Sequence, residues 1–289
     1  MTALTRTNSP TPLPKTCEIA MTSSAALPLP TPLPTDAGTW PVQIAPDQLD
    51  QHQAAAASTL SNGASADSRI ATAAPSSASF PAQGSEEWLN QRCGKLTASR
   101  MGDVMARTKT GWSTSRGNYL GQLVAERLSG QPSSSYESPS MAWGREYEDE
   151  ARRAYMFRLD CLVSPAGFVD HPNIAMSGAS PDGYVGEHGL IEIKAPNTTT
   201  HLEIVLSGHV PEKYLPQILW QLACTKRHWC DFVSYDPRLP EHLRFIALRV
   251  PCDGERIRVL EEEARSFLGE VDQRVQAITA RVIGRPSAA

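Results

Sequence analysis

The sequence lacks any uninterrupted apolar run of about 18 residues or more, the length that a membrane-spanning helix requires. It therefore predicts no membrane span. The N-terminal stretch also lacks the apolar core of a signal peptide, and we expect a cytoplasmic protein. Six cysteines occur, but no two stand in a C-x-x-C pair. This spacing is not typical of a structural zinc site or an iron–sulfur cluster, and it favours reduced thiols.

An excess of positive charge is also absent, since the formal net charge is −4. Most nucleic-acid-binding domains carry a basic footprint, so the net charge does not by itself indicate such a partner. A metal-dependent nuclease, however, gathers carboxylates at its site. Net charge therefore leaves the class of partner open.

Composition divides the chain in two. Residues 1–83 hold eleven of the 23 prolines among many Ala, Ser and Thr residues, and only three basic residues. Such a segment buries too little apolar surface to offset its ordering entropy, and we predict a disordered extension. We predict one folded domain over residues 84–285.

Helical spacing and strand-like segments alternate along the second part. Helices are predicted at about 85–92, 119–128, 141–159, 214–222 and 253–282, the first capped by Ser85. Short strands are predicted at 167–170, 176–180, 184–185, 190–194, 232–235 and 243–250. This order predicts an α/β (α+β) domain in which helices flank a central mixed sheet.

One strand carries charge where an apolar strand is expected. Side chains alternate along a strand, so Glu192 and Lys194 point to one face while Ile191 and Ile193 point to the other. Burying two charges is costly unless that face opens onto a functional cleft. Asp182, in a Pro-Asp-Gly turn just before, can present its carboxylate beside Glu192.

Two carboxylates and a lysine are the groups that phosphodiester hydrolysis needs. The carboxylates form a hard-oxygen site for Mg²⁺, which activates water and polarises the phosphate. The lysine orients the water or stabilises developing charge. Taken alone the triple is a weak motif, and a surface hairpin with a Glu–Lys pair is the alternative.

The residues around the triple resemble the lambda exonuclease and YqaJ-like viral recombinase family, within the restriction-endonuclease-like nuclease superfamily. The matching pieces, in order, are Trp88 and Arg92, Thr-Ala-Ser at 97–99, Ala-Trp-Gly-Arg-Glu-Tyr-Glu at 142–148, Ser-Pro-Asp-Gly at 180–183, Glu-Ile-Lys at 192–194, Gln217, and Tyr-Asp-Pro-Arg at 235–238. They span most of the folded part, and several ordered matches are far more specific than the triple.

The resemblance implies roles for the residues of the triple and two neighbours. Asp182 and Glu192 match metal-binding carboxylates, with the Ile193 carbonyl as a further ligand. Lys194 matches the catalytic lysine. Glu148 matches an additional acid that helps to hold the metals, although a solvated helix face is the alternative for its acidic neighbours. The implied cofactor is Mg²⁺, with two ions per site and Mn²⁺ as a substitute.

The resemblance also implies a pocket for a 5′-phosphate, formed by Arg92, Ser99, Ser180 and Gln217. The planar fork of an arginine suits bidentate contact with phosphate. Arg92 could instead cap its short helix, and Gln217 could be an ordinary exposed helix residue.

The implied activity is processive 5′-to-3′ hydrolysis of double-stranded DNA, which leaves 3′ single strands for recombination. An endonuclease or flap nuclease on the same fold, and a non-catalytic DNA-binding recombination protein, are the alternatives. The implied partners are double-stranded DNA ends, a single-strand annealing protein and further copies of the chain in a ring-shaped trimer. We expect a basic channel for DNA lined by Lys95, Arg116, Arg145 and Arg152, and we expect Trp143 to lie in the core.

Overall fold

The protein is described here from a computed structural model, which covers residues 80–81, 83–133 and 138–283. These residues belong to one compact unit. The predicted extension over 1–83 lies almost wholly outside the described residues, and so does the end of the predicted domain at 284–285.

The described residues form seven α-helices with short 3₁₀ turns between some of them. The helices are α1 (Glu86–Arg92), α2 (Met101–Met105), α3 (Thr114–Ser129), α4 (Pro139–Leu159), α5 (Thr198–Ser207), α6 (Leu215–Thr225) and α7 (Gly254–Ile283). None of them is both long and apolar enough to cross a membrane.

Ten short strands complete the described fold. They are β1 (Leu96–Thr97), β2 (Arg107–Thr108), β3 (Gly111–Trp112), β4 (Val163–Ser164), β5 (Val169–Asp170), β6 (Ser177–Ala179), β7 (Gly183–Val185), β8 (Gly189–Lys194), β9 (Trp229–Tyr235) and β10 (Phe245–Pro251). The central sheet has the order β10-β9-β8-β7-β4, with β8 and β9 parallel and the other neighbours antiparallel. The predicted α/β fold with a central mixed sheet between helices is confirmed.

The two faces of β8 pack against different layers. Ile191 and Ile193 belong to an apolar cluster with Ala151 and Tyr155 of α4. Leu190 belongs to the larger cluster on the other face, which includes residues of α3, α6 and α7. The alternation predicted from the sequence is therefore present, and it directs the even-numbered side chains of β8 towards α6.

A second sheet brings the start of the domain to the strand that precedes Asp182. Its order is β1-β6-β5, and β1 pairs with β6 in parallel through the registers Leu96↔Ser177 and Thr97↔Gly178. Because α1 leads directly into β1, this pairing places the end of α1 near residue 180. The first helix begins as predicted, with the Ser85 hydroxyl accepting a hydrogen bond from Trp88 N.

One local prediction is wrong, and helix α5 and strands β1 to β4 were not predicted. Trp143 is half-buried against Tyr147, since the buried residues of α4 begin about two turns later, at Ala151. Helix α5 was not predicted because its first turn is rich in threonine, a weak helix former; Asn197 caps it through a bond from Thr200 N.

Candidate active site

Asp182 sits in the turn between β6 and β7, beside the middle of β8. Its Oδ2 accepts a hydrogen bond of 2.7 Å from the backbone N–H of Ile193. No described residue donates to Oδ1. The carboxylate is thus fixed to β8 by one oxygen, and it lies close enough to Glu192 for the two charges to interact.

Glu192 is buried, with 1% of its surface exposed, yet its carboxylate has three donors. Gln217 Nε2 donates to Oε1 and Gln221 Nε2 donates to Oε2, each at 2.6 Å. Lys194 Nζ lies 2.5 Å from Oε1. A buried charge is tolerated only when it is paired and hydrogen-bonded, and here both requirements are met. The arrangement fixes the orientation of the Glu192 carboxylate.

Lys194 is held in its charged form. Burial disfavours the ammonium, but the carboxylates of Glu192 and Asp182 outweigh that effect and raise the pKa of Lys194. A protonated lysine cannot accept a proton from water. In its charged form it can orient a water molecule or stabilise negative charge on a phosphate.

Asp182 experiences the opposite electrostatic balance. Burial raises its pKa well above the usual value, and the neighbouring charges of Glu192 and Glu148 raise it further. Lys194 and the Ile193 N–H act in the other direction without cancelling this effect. Like charges held together in a cleft are a common feature of functional sites. A cation bound there would relieve the repulsion.

Glu148 approaches the same cleft from α4. It forms an ion pair with Arg152, one turn later, and Arg152 Nη2 also donates to the Asp182 carbonyl at 3.3 Å. Burial raises the pKa of Glu148; the ion pair with Arg152 lowers it, and the charge of Glu192 raises it again. Arg152 thus links the acidic part of α4 to the turn that carries Asp182.

The oxygen donors around Asp182 and Glu192 suit Mg²⁺, an ion that needs few protein ligands. Among the described residues, no three Asp, Glu, His or Cys side chains converge as a ready cage. Mg²⁺ does not need one, because it retains several waters and binds through one or two carboxylates plus substrate phosphates. Asp182 and Glu192 would supply those carboxylates, and the Ile193 carbonyl on the same strand as Glu192 would supply a further oxygen. Glu148 is the third carboxylate whose charge reaches them.

A second cluster lies next to this cleft, around Arg92. Its Nη1 donates to Ser180 Oγ at 3.1 Å and its Nη2 to Ser99 Oγ at 3.4 Å. The guanidinium also stacks over the ring of Trp88, 4.0 Å from its centroid. Three of the four residues predicted for a phosphate pocket, Arg92, Ser99 and Ser180, are therefore in contact. Ser180 precedes Asp182 by two residues, so this cluster adjoins the carboxylates.

Comparison with known proteins adds to this geometry. Residues 87–228 match the profile of the YqaJ-like viral recombinase domain. The crystal structure of an alkaline exonuclease from Laribacter hongkongensis is 42% identical, with a TM-score of 0.64 and coverage of 69% of this chain and 99% of that one. The chain belongs to the YqaJ-like viral recombinase family.

Two further solved structures are similar to this chain. The same Laribacter hongkongensis enzyme in complex with dAMP is also 42% identical over the same shares, with a TM-score of 0.65. A phage-related exonuclease from Haemophilus somnus 129PT is 13% identical, covers 64% of this chain and 96% of that one, and has a TM-score of 0.50, which supports the shared fold alone. A search of curated proteins gave no significant match.

Gln217, the fourth residue predicted for the phosphate pocket, contacts Glu192 and not the Arg92 cluster. It is hydrogen-bonded to Glu192, and it makes no hydrogen bond to Arg92, Ser99 or Ser180 among the described contacts. Gln221, one helical turn later on α6, was not predicted at all. The signal was available in the sequence as two glutamines four residues apart on one helix face.

The expected basic channel requires a correction in this YqaJ-like chain. Arg116 is only 3% exposed and forms ion pairs with Glu263 and Glu270 of α7, so it cannot line a channel. A buried arginine binds interior carboxylates because both charges must be compensated there. Lys95 is paired with Asp170 at 2.6 Å, and Arg152 belongs to the acidic cleft.

Proposed function

We propose that this protein is a Mg²⁺-dependent exodeoxyribonuclease that degrades double-stranded DNA from a 5′-phosphorylated end in the 5′-to-3′ direction. The observation that carries the proposal is the meeting of Asp182, Glu192 and Lys194 in one cleft, beside the Arg92 cluster. When bound, Mg²⁺ supplies Lewis acidity towards the phosphodiester and lowers the pKa of a water ligand.

The protein side chains divide the remaining work. Asp182 and Glu192, with the Ile193 carbonyl and Glu148, hold the cations; two ions, with Mn²⁺ as a substitute, fit the family. Lys194, kept protonated by its carboxylate neighbours, orients the attacking water and stabilises the charge that develops on the phosphate oxygens. The water oxygen bonds to phosphorus and loses a proton to solvent, while the bond from phosphorus to the 3′ oxygen breaks and the 3′ oxygen takes up a proton from solvent.

The Arg92 cluster supports a proposed preference for phosphorylated ends. Cleavage of the bond to the 3′ oxygen releases a 5′-mononucleotide and leaves a new phosphate on the shortened strand. A pocket of one arginine and the hydroxyls of Ser99 and Ser180 offers charge-assisted and neutral donors to that phosphate. Each cut therefore regenerates the group that the pocket binds, which favours repeated cleavage without release.

The assembly around the site belongs to the same proposal. Copies of the chain enclose the duplex in a ring, and the 3′ single strand passes to a single-strand annealing protein. A ring would also reconcile DNA binding with a net charge of −4, because the local potential of an enclosed channel matters more than the total charge.

End-labelled duplex DNA tests the proposal. Linear duplexes with 5′-phosphate or 5′-hydroxyl termini, and a closed circular duplex, are incubated with or without Mg²⁺, with wild-type protein or Lys194→Ala. We expect nucleotides to be lost from phosphorylated 5′ ends only with Mg²⁺ and only with Lys194 present. Cutting of the closed circle would instead identify an endonuclease, and no cleavage with Mg²⁺ or Mn²⁺ would leave a DNA-binding protein without nuclease activity.

A further inference from the structure

The turn that carries Arg92 is held from both sides by the last turns of α3. Arg92 is the final residue of α1, and Gly94 follows two residues later with a positive φ of 69°. The N–H of Gly94 donates to Glu126 Oε2 at 2.7 Å, and its carbonyl accepts from Arg127 Nε at 2.9 Å. Both backbone groups of one glycine are thus fixed, and with them the exit of α1.

Glu126 is a buried glutamate, and glutamates are rarely buried without an ion-pair partner. Its surface is 6% exposed, and its carboxylate accepts further hydrogen bonds from Gln122 Nε2 at 2.8 Å and Ser133 N at 3.2 Å. No basic side chain forms an ion pair with it among the described residues. Neutral donors solvate the charge without cancelling it, so Glu126 keeps its negative potential.

Arg92 is the complement of this buried carboxylate. Its described partners are the hydroxyls of Ser99 and Ser180, and no described carboxylate forms an ion pair with it. Burial lowers the pKa of Arg92 to about 10, while Tyr119 and Glu126 act in the other direction. Compensation from a distance leaves the N–H edge of the guanidinium available to an anion, whereas a direct ion pair with a carboxylate would occupy that edge.

We propose that Glu126 is a positioning residue for the terminal phosphate of the DNA. It fixes the turn that places Arg92 against Ser99 and Ser180, and it supplies counter-charge without competing for the guanidinium. This inference rests on the proposed function, because it assumes that the Arg92 cluster binds a 5′-phosphate. Among the described hydrogen bonds and ion pairs, none joins the Glu126 carboxylate to Asp182 or to the Arg92 side chain.

Steady-state kinetics on duplexes that differ only in a 5′-phosphate or 5′-hydroxyl terminus test the inference. The measured quantity is the ratio of kcat/KM for the two ends. Loss of a hydrogen bond to a charged group predicts that Glu126→Gln lowers this ratio by about tenfold or more. The change should arise in the KM of the phosphorylated duplex and leave kcat/KM for the hydroxyl duplex unaltered. Glu203→Gln, at an exposed glutamate of α5, is the matched control.

Gly94→Ala provides an independent route to the same ratio. An added Cβ would lie 2.8 Å from Arg127 Cγ on a backbone with positive φ, so the turn must shift while Glu126 stays intact. We expect a similar loss of the ratio, and this variant decides the matter if Glu126→Gln does not fold, as judged by thermal melting.

The outcomes separate the two claims. If Arg92→Ala abolishes the phosphate preference while Glu126→Gln and Gly94→Ala keep the wild-type ratio, the inference is overturned and the phosphate pocket stands. A proportional loss on both duplexes at an unchanged ratio also overturns it, because that is the effect of a merely structural residue. A wild-type protein without any phosphate preference would refute the pocket and the inference together.

Discussion

Gln221 Nε2 lies 2.6 Å from Glu192 Oε2, and the two side chains are 0% and 1% exposed. A helix on one face of the sheet thus fixes a carboxylate on its central strand from within the core. Groups that hydrogen-bond to metal ligands orient them and raise the affinity of the site. The Glu192 carboxylate is therefore oriented by the protein itself.

This contact predicts that Gln221→Ala weakens the proposed metal site without removing it. Without the Gln221 donor, the Glu192 carboxylate is held less firmly in its orientation. Removing a side chain that hydrogen-bonds to a metal ligand typically lowers metal affinity by about 10–100-fold. The Mg²⁺ concentration for half-maximal cleavage should rise by that factor, with the maximal rate largely restored at saturating Mg²⁺.

Gln276→Ala, at an exposed position of α7, is the control and should leave the Mg²⁺ dependence unchanged. A wild-type Mg²⁺ profile in Gln221→Ala would show that this hydrogen bond does not support the metal site.

Gly183, directly after Asp182, makes a second prediction. A Cβ there would lie 2.3 Å from Val163 Cγ1 and 3.2 Å from the Ser164 carbonyl, so Gly183→Ala must push β7 away from β4. Overpacking of this kind costs about 1–3 kcal/mol of stability. We expect a lower free energy of unfolding in urea and reduced cleavage, because the turn that aligns Asp182 moves.

The control for this variant is Gly121→Ala, at a helical glycine of α3 with no neighbouring heavy atom within 4 Å of an added Cβ. Since alanine is favoured over glycine in helices, it should raise stability by up to about 1 kcal/mol. Equal effects of the two substitutions would contradict the close packing of β7 against β4.

The buried Arg116 makes a prediction about pH. Its Nη2 lies 2.7 Å from Glu270 Oε1, and this hydrogen bond is the largest cause of the lowered pKa of Glu270. A lowered folded-state pKa contributes stability that is present above the unfolded value, 4.5, and is lost as pH falls through the folded value. The stability difference between wild type and Arg116→Ala should therefore be largest above pH 4.5 and shrink in more acidic solution.

Urea unfolding of both proteins at several pH values from neutral to strongly acidic measures this difference. Arg258→Ala is the control, because Arg258 and Glu262 form an exposed pair that contributes little. A difference between wild type and Arg116→Ala that does not change with pH would contradict the assigned ion pair.

The site residues that could be predicted from the sequence are those placed by a short local pattern. The two-residue alternation of β8 placed Glu192 and Lys194 on one face, and the Pro-Asp-Gly turn placed Asp182 beside them. The family resemblance added Arg92, Ser99 and Ser180, which the fold brings together. Long elements with strong caps were predicted closely for the same local reason.

The remaining features depend on tertiary packing. Glu126 has no local pattern that distinguishes it from a surface helix residue, and only the packing of α3 reveals its partners. The spacing of Gln217 and Gln221 is visible in the sequence, but only the packing of α6 reveals that both side chains donate to Glu192. Arg116 was expected to face DNA, but the fold of α7 brings Glu263 and Glu270 against it. The sequence shows that Arg116 is charged, but it does not show whether that charge pairs with DNA or with carboxylates of the same chain.

The most direct test of the proposed chemistry is the Asp182→Asn variant, measured by single-turnover cleavage of 5′-phosphorylated duplex DNA across a Mg²⁺ titration and by thermal melting. Asparagine can still accept the Ile193 N–H bond, but it removes a charge that Glu192 and Glu148 repel. We predict that cleavage falls by about 10²-fold or more at every Mg²⁺ concentration, while the melting temperature stays equal or rises. Cleavage at the wild-type rate would contradict the assignment of Asp182, Glu192 and Lys194 as the active site.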